Sequence, residues 1–235
     1  MNDIWAALGA AITLITHADE GLMEIVFLSL RVSLGAVVIS TLFGLPIGAA
    51  LALFKFPGRK SLTILVNALM GLPPVVVGLV VYLMLSRSGP FGVFGLLFTP
   101  TAMVIAQVIL VTPIIAALTR QVIESLWEEY DEQLRSLGAT TLQALQTLLW
   151  DARFVLTTAV LAGFGRASAE VGAVMIVGGN IDHVTRVMTT TIALEVSKGD
   201  LPLALGLGII LVTLSVGVNA LASILKDVAQ RRQGA

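Results

Sequence analysis

Residues 61–86, SLTILVNALMGLPPVVVGLVVYLMLS, run for 26 positions without a Lys, Arg, Asp, Glu or His. A helix rises about 1.5 Å per residue, so roughly 20 such residues cross a hydrocarbon core of about 30 Å. Residues 32–54 (VSLGAVVISTLFGLPIGAALALF) and 201–225 (LPLALGLGIILVTLSVGVNALASIL) repeat the pattern. Residues 88–119 are also uncharged, but the turn signals Gly89-Pro90 and Thr99-Pro100 confine a further helix to about 101–120. The fourth span is read over 154–177, with Arg166 and Glu170 four residues apart on one helix face. Counting residues 22–54 as the first, five spans are expected: 22–54, 61–86, 101–120, 154–177 and 201–225.

Composition agrees with lipid as the main solvent. Of 235 residues, 57% are hydrophobic and 12% charged, where a soluble domain carries about 25% charged residues; mean hydropathy is +0.95. A net charge of −1 supplies no basic field for nucleic acid. There is no cysteine, which excludes disulfides and thiolate metal sites. Residues 4–16 are apolar but too short to span and lack a basic start, so they read as an interfacial helix, with a sixth crossing as the alternative. The fold class is therefore an all-α polytopic bundle in one membrane domain, residues 1–235.

Basic residues set the expected orientation. Lys55, Arg59, Lys60, Arg120, Arg135, Arg153, Lys226, Arg231 and Arg232 fall on one side; only Arg87, Arg186 and Lys198 fall on the other. Nine against three puts the N-terminus outside and the C-terminus in the cytoplasm. The longest cytoplasmic stretch, about 121–153, is too small for a catalytic domain.

That stretch carries the most specific local signals. Ser125 with Glu128 fits a capping box, and Glu128, Glu129, Asp131 and Glu132 suit a helix start. Gly138 can end a helix in the left-handed conformation. Thr140 with Gln143 fits a second capping box, after which Leu142, Leu145 and Leu149 are expected on one face. Helix, corner, helix is the product.

Glu132-Gln133-Leu134, three residues, then Gly138 resembles the coupling-loop motif of permease subunits of ABC importers, whose pattern is Glu-Ala-Ala, three residues, Gly. Here the two alanines are Gln133 and Leu134, and the proline that closes the family pattern is replaced by Asp151. The resemblance implies that Glu132, Arg135, Gly138 and Ala139 contact an ATP-hydrolysing subunit. Residues 56–59 (FPGR), 70–79 (MGLPPVVVGL), 163–167 (GFGRA), 170–174 (EVGAV) and 177–181 (VGGNI) extend it to the tungstate-type branch of type I importer permeases, close to molybdate and sulfate permeases. It implies a homodimer in the inner membrane, two ATPase subunits carrying ATP and Mg, and an extracytoplasmic oxyanion-binding protein.

Within the membrane, Pro73-Pro74 should break or bend the second span and line the pathway. Pro46 and Pro113 read as structural kinks. Gly44 and Gly48 have the small-residue spacing of close helix contacts, within the subunit or in a dimer. Arg166 and Glu170 are either a structural ion pair or a polar element of the route. Asn180, Thr189, Thr190 and Thr191 are candidate neutral donors to an oxyanion.

Rival classes lack their parts. The only histidines are His17 and His183, and no HExxH metal motif, intramembrane protease signature, nucleophile elbow or Walker A sequence occurs. No catalytic residue and no metal site are expected, and the chain is not itself the ATPase. A self-contained channel stays open as the other class, and would have no use for a docking loop.

Overall fold

The computed structural model of the chain describes Gly9 and residues 20–233; apart from Gly9, the surface helix expected over 4–16 lies outside the described residues. Among them are nine α-helices, one short 3-10 turn and no strand. The helices are α1 (Glu20–Leu53), α2 (Arg59–Leu69), α3 (Pro74–Leu85), α4 (Pro100–Ser136), α5 (Thr141–Asp151), α6 (Arg153–Ser168), α7 (Gly172–Gly178), α8 (Met188–Lys198) and α9 (Leu201–Gln233).

Three stretches are long and apolar enough to cross a bilayer unaided: Gly21–Leu53, Pro100–Ser136 and Leu201–Arg231. Each carries large apolar side chains outward, among them Phe27, Val38, Leu42, Ile109, Val212 and Val216, as expected of a surface wetted by acyl chains. Five crossings result if two bent pairs, α2 with α3 and α5 with α6, each count as one.

The second expected span, 61–86, is broken between Leu69 and Pro74. Pro74 opens α3, and Pro73 before it is extended (φ −64°, ψ 121°). Pro74 has no N–H to continue the ladder, and its ring drives the preceding residue out of the helical region. The third span, expected over 101–120, instead extends from Pro100 to Ser136. Pro100 at the first position needs no N–H partner, and the Thr99 hydroxyl accepts the Ala102 N–H at 3.4 Å.

No helix starts at Ser125: α4 passes through Ser125 and Glu128 unbroken. Ile123, Leu126, Trp127, Tyr130 and Leu134 keep helical spacing and pack into one core, which holds the helix continuous across the capping signal. Nor is 154–177 one helix. It divides into α6 and the short α7, with Ala169–Val171 between them.

The helices form two compact units, with α1, α4, α6 and α9 contributing to both. One unit comprises Val37–Leu72, Val108–Phe164 and Ala222–Ala235. Its main core joins Ala49, Ala52 and Leu53 of α1, Ile123 of α4, and Ala144, Leu148, Ala152 and Leu156 at successive four-residue steps. Gly44 and Gly48 let α1 approach α4: a Cβ on Gly48 would sit 2.3 Å from the Ala116 carbonyl oxygen. The small-residue spacing thus serves a contact within the chain. The other unit comprises Met1–Ala36, Pro73–Gln107 and Gly165–Leu221. There α3 packs on α7, and Leu22, Met188, Leu207 and Ile210 form a second core.

Candidate functional site

The corner after α4 is built by backbone hydrogen bonds. Gly138 lies at φ +74°, its N–H donates to the Arg135 carbonyl at 3.0 Å, and the Ala139 N–H donates to the Leu134 carbonyl at 3.0 Å. This paired closure satisfies carbonyls that a helix end leaves open, and the left-handed residue in it is a glycine because a Cβ is disfavoured there. Two residues on, the Thr140 hydroxyl accepts the Gln143 N–H at 3.4 Å. The Gln143 Oε1 accepts the Thr140 N–H at 2.8 Å in return. The capping box read from sequence therefore opens α5.

One face of α5 is buried through Ala144 and Leu148, with Leu145 and Leu149 packed beside them. Leu142 was expected on that face but is exposed, as are Leu137 and Trp150. The reason is register: residues 144 and 148 define the stripe, and Leu142 lies two positions from its nearest member, on the far side of the turn. Glu128, Glu129 and Glu132 are exposed on α4. Arg135 pairs with Asp131 and lies 5.8 Å from the Trp127 ring centre. The hairpin thus presents Glu132, Arg135 and Gly138 together on its surface, with Ala139 half-buried.

A second device fixes the hairpin and was not legible in sequence. Arg59 donates through Nε to the Leu51 carbonyl (2.6 Å) and through Nη2 to the Ala52 carbonyl (3.0 Å). Its Nη2 also meets Glu124 Oε1 at 2.7 Å, and Arg120 pairs with the other oxygen of Glu124. The end of α1 is thereby capped by a guanidinium that also holds α4. The sequence signal was only an arginine after a Pro-Gly turn.

Arg166 and Glu170 do meet, at 3.4 Å, with the Glu170 side chain 5% exposed and Arg166 35%. The pair bridges the break between α6 and α7. Glu170 Oε1 accepts the Ala173 N–H at 3.2 Å, and its carbonyl accepts the Thr189 hydroxyl at 2.9 Å. Gln107 donates to the Ala167 carbonyl at 3.1 Å. A carboxylate that both pairs and caps separates under substitution: Glu170→Ala should lower stability by about 2 kcal/mol, the sum of a lost cap and of a pair whose arginine is partly solvated. Glu170→Gln keeps an acceptor for Ala173 and should lose less than half of that. Thermal unfolding of the detergent-purified variants would check the difference.

The expected donors are not alike. Asn180 sits in the left-handed region at φ 50°, and its buried Oδ1 has no partner among the described residues. Thr190 is fully buried, its hydroxyl donating to the Val187 carbonyl and accepting the Val187 N–H at 3.0 and 3.1 Å. Thr191 likewise donates to Val187. Nearby, His183 Nδ1 lies 2.7 Å from Glu24. That hydrogen bond, with the charges of Asp182 and Glu24, raises the His183 pKa above its usual value.

Long apolar helices, an exposed hairpin closed at Gly138 and opened at Thr140, and an ion pair at a helix break are features that an inner-membrane component of a transport system accommodates. The chain belongs to the family described as the binding-protein-dependent transport system inner membrane component, whose sequence profile matches residues 44–234. It is 41% identical over 218 residues to a probable anion ABC transporter permease protein of Haloferax volcanii, covering 91% of this chain and 94% of the relative. It is 40% identical to the tungstate uptake system permease protein TupB of Peptoclostridium acidaminophilum, covering 93% and 96%. It is 28% identical to the sulfate transport system permease protein CysW of Synechocystis, covering 92% and 79%.

Proposed function

We propose that the chain is the permease subunit of an ATP-binding-cassette importer that moves an oxyanion, tungstate, into the cytoplasm by alternating access. The observation that carries this reading is the exposed hairpin at Gly138, closed by a pair of backbone hydrogen bonds and opened by a side-chain capping box. Its rigidity suits the transmission of a partner's motion, and its exposed Leu137, Leu142 and Trp150 offer apolar contacts to a docking chain. A self-contained channel has no use for such a surface.

In this reading two copies of the chain enclose the pathway, and two ATPase subunits holding ATP and Mg dock on the hairpins through Glu132, Arg135, Gly138 and Ala139. An extracytoplasmic binding protein delivers the anion. The N-terminus lies outside and the C-terminus inside, as the nine-to-three division of Lys and Arg supports. Pro73 and Pro74 keep the second span interrupted beside the route. Arg166 and Glu170 form a polar gate element, Asn180 supplies a free acceptor or donor to the route, and Thr190 acts behind it by holding the start of α8.

Tungstate rests on the permease relatives that carry that name. Molybdate and sulfate are compact tetrahedral dianions too, and sulfate permeases are similar to this chain. The test is ATP-dependent uptake by the complex reconstituted in vesicles, with the three anions in competition. Tungstate should be taken up in preference, and only with ATP. Preference for sulfate would overturn the cargo, and full flux without any ATPase would overturn the class. In the same assay Arg166→Ala should fold but lose most uptake.

A further inference from the structure

Beside the turn from α1 into α2 lies a cavity of roughly 640 Å³, lined among others by Phe56, Arg59, Lys60, Ile64, Arg120 and Glu124. Its charges do not balance. Glu124 is shared by Arg59 on one oxygen and Arg120 on the other, and Lys60 is exposed and pairs with no described acidic residue. Three cations against one carboxylate leave two positive charges. Both arginines keep a terminal nitrogen that makes no hydrogen bond with the described residues.

A second feature points the same way. Gly58, which precedes α2 at φ +89°, gives the helix no side-chain cap. The Arg59 N–H donates to the Phe56 carbonyl at 3.2 Å and the Leu62 N–H to the Gly58 carbonyl at 3.0 Å, but the N–H groups of Lys60 and Ser61 between them have no acceptor among the described residues. The open, positive end of α2 therefore adjoins the cationic side chains, an arrangement that favours anionic oxygens. The lining also has an apolar part: Phe56 and Ile64 border the cavity and are both exposed.

From this geometry we propose that the cavity binds the phosphate of an anionic phospholipid. Lys60 and the spare donors of Arg59 and Arg120 meet the phosphate oxygens, and the acyl chains lie along Phe56 and Ile64. A free tetrahedral oxyanion shares the headgroup chemistry but gains nothing from the apolar rim, and the position at the end of a membrane-crossing helix is headgroup depth. The occupied site would brace the Arg59–Glu124 link beneath the hairpin.

Native mass spectrometry of the purified complex, titrated separately with phosphatidylglycerol, phosphatidylcholine and inorganic phosphate, tests this directly. Phosphatidylglycerol should bind in preference to phosphatidylcholine. Lys60→Ala should weaken it about fivefold and Lys60→Glu about twenty-five-fold, at roughly fivefold per charge. Lys60 holds no described partner, so the melting temperature of both variants should match the parent; Arg59 is unsuitable because it caps α1. Equal phosphatidylglycerol affinity in the parent and Lys60→Glu overturns the site. Displacement of the lipid by millimolar inorganic phosphate overturns the lipid assignment. Because lipid occupancy is read without ATP or cargo, the result stands apart from that of the importer reading.

Discussion

Gly138→Pro is expected to abolish co-purification of the ATPase partner and ATP-driven uptake, while the apolar helices still insert. Proline fixes φ near −65°, and residue 138 sits at φ +74°. The substitution also deletes the N–H that donates to the Arg135 carbonyl. The corner must then open, and Ala139 loses its bond to Leu134. The hairpin's two arms would no longer present one surface. Gly138→Ala separates conformation from crowding, because an added Cβ there meets nothing within 4 Å. Its cost is only that of a left-handed non-glycine residue, about 1–2 kcal/mol, so a weakened but measurable association should remain. An unimpaired complex with proline at 138 would remove the hairpin from the coupling route.

These residues were readable in sequence because their signals are local. A glycine able to take positive φ, followed two residues later by a Thr-x-x-Gln box, specifies a corner through bonds that span three to five positions. The proline pair at 73–74 acts on its own backbone and was legible for the same reason. The failures were those where distant packing decided. Ser125 and Glu128 carry a start signal, but the stripe from Ile123 to Leu134 packs against α1, α5 and α6, and burial kept the helix whole. Arg166 and Glu170 have the spacing of a helix face, yet Glu170 turns its carboxylate to the N–H of Ala173 beyond the break. Spacing alone cannot distinguish a carboxylate that continues a helix from one that caps the next. The Arg59–Glu124 link was invisible for a plainer reason: its partners lie 65 positions apart.

Gly48→Leu should yield no monodisperse protein, and even Gly48→Ala should be among the most destabilising single-methyl additions in the chain. Within lipid, apolar surface gains little by leaving its solvent, so helices associate through close contact and small residues. At Gly48 that contact is with backbone: the added carbon would lie 2.3 Å from the Ala116 carbonyl oxygen and 2.7 Å from the Thr119 Cβ. A side chain can rotate away, but a mid-helix carbonyl cannot move without breaking the α4 ladder. Separation of α1 from α4 is the alternative, and it would pull Ala49, Ala52 and Leu53 out of the core that supports the hairpin. A loss of about 3 kcal/mol, the upper part of the overpacking range, is expected for the alanine. Gly35→Ala supplies the control on the same helix, since its nearest neighbour is a Val104 methyl at 4.0 Å. Thermal melting of the two variants in detergent should therefore differ widely, with Gly35→Ala close to the parent. Equal melting would mean that α1 and α4 are not held by backbone approach at Gly48, and the route from α1 to the hairpin core would lose its physical basis.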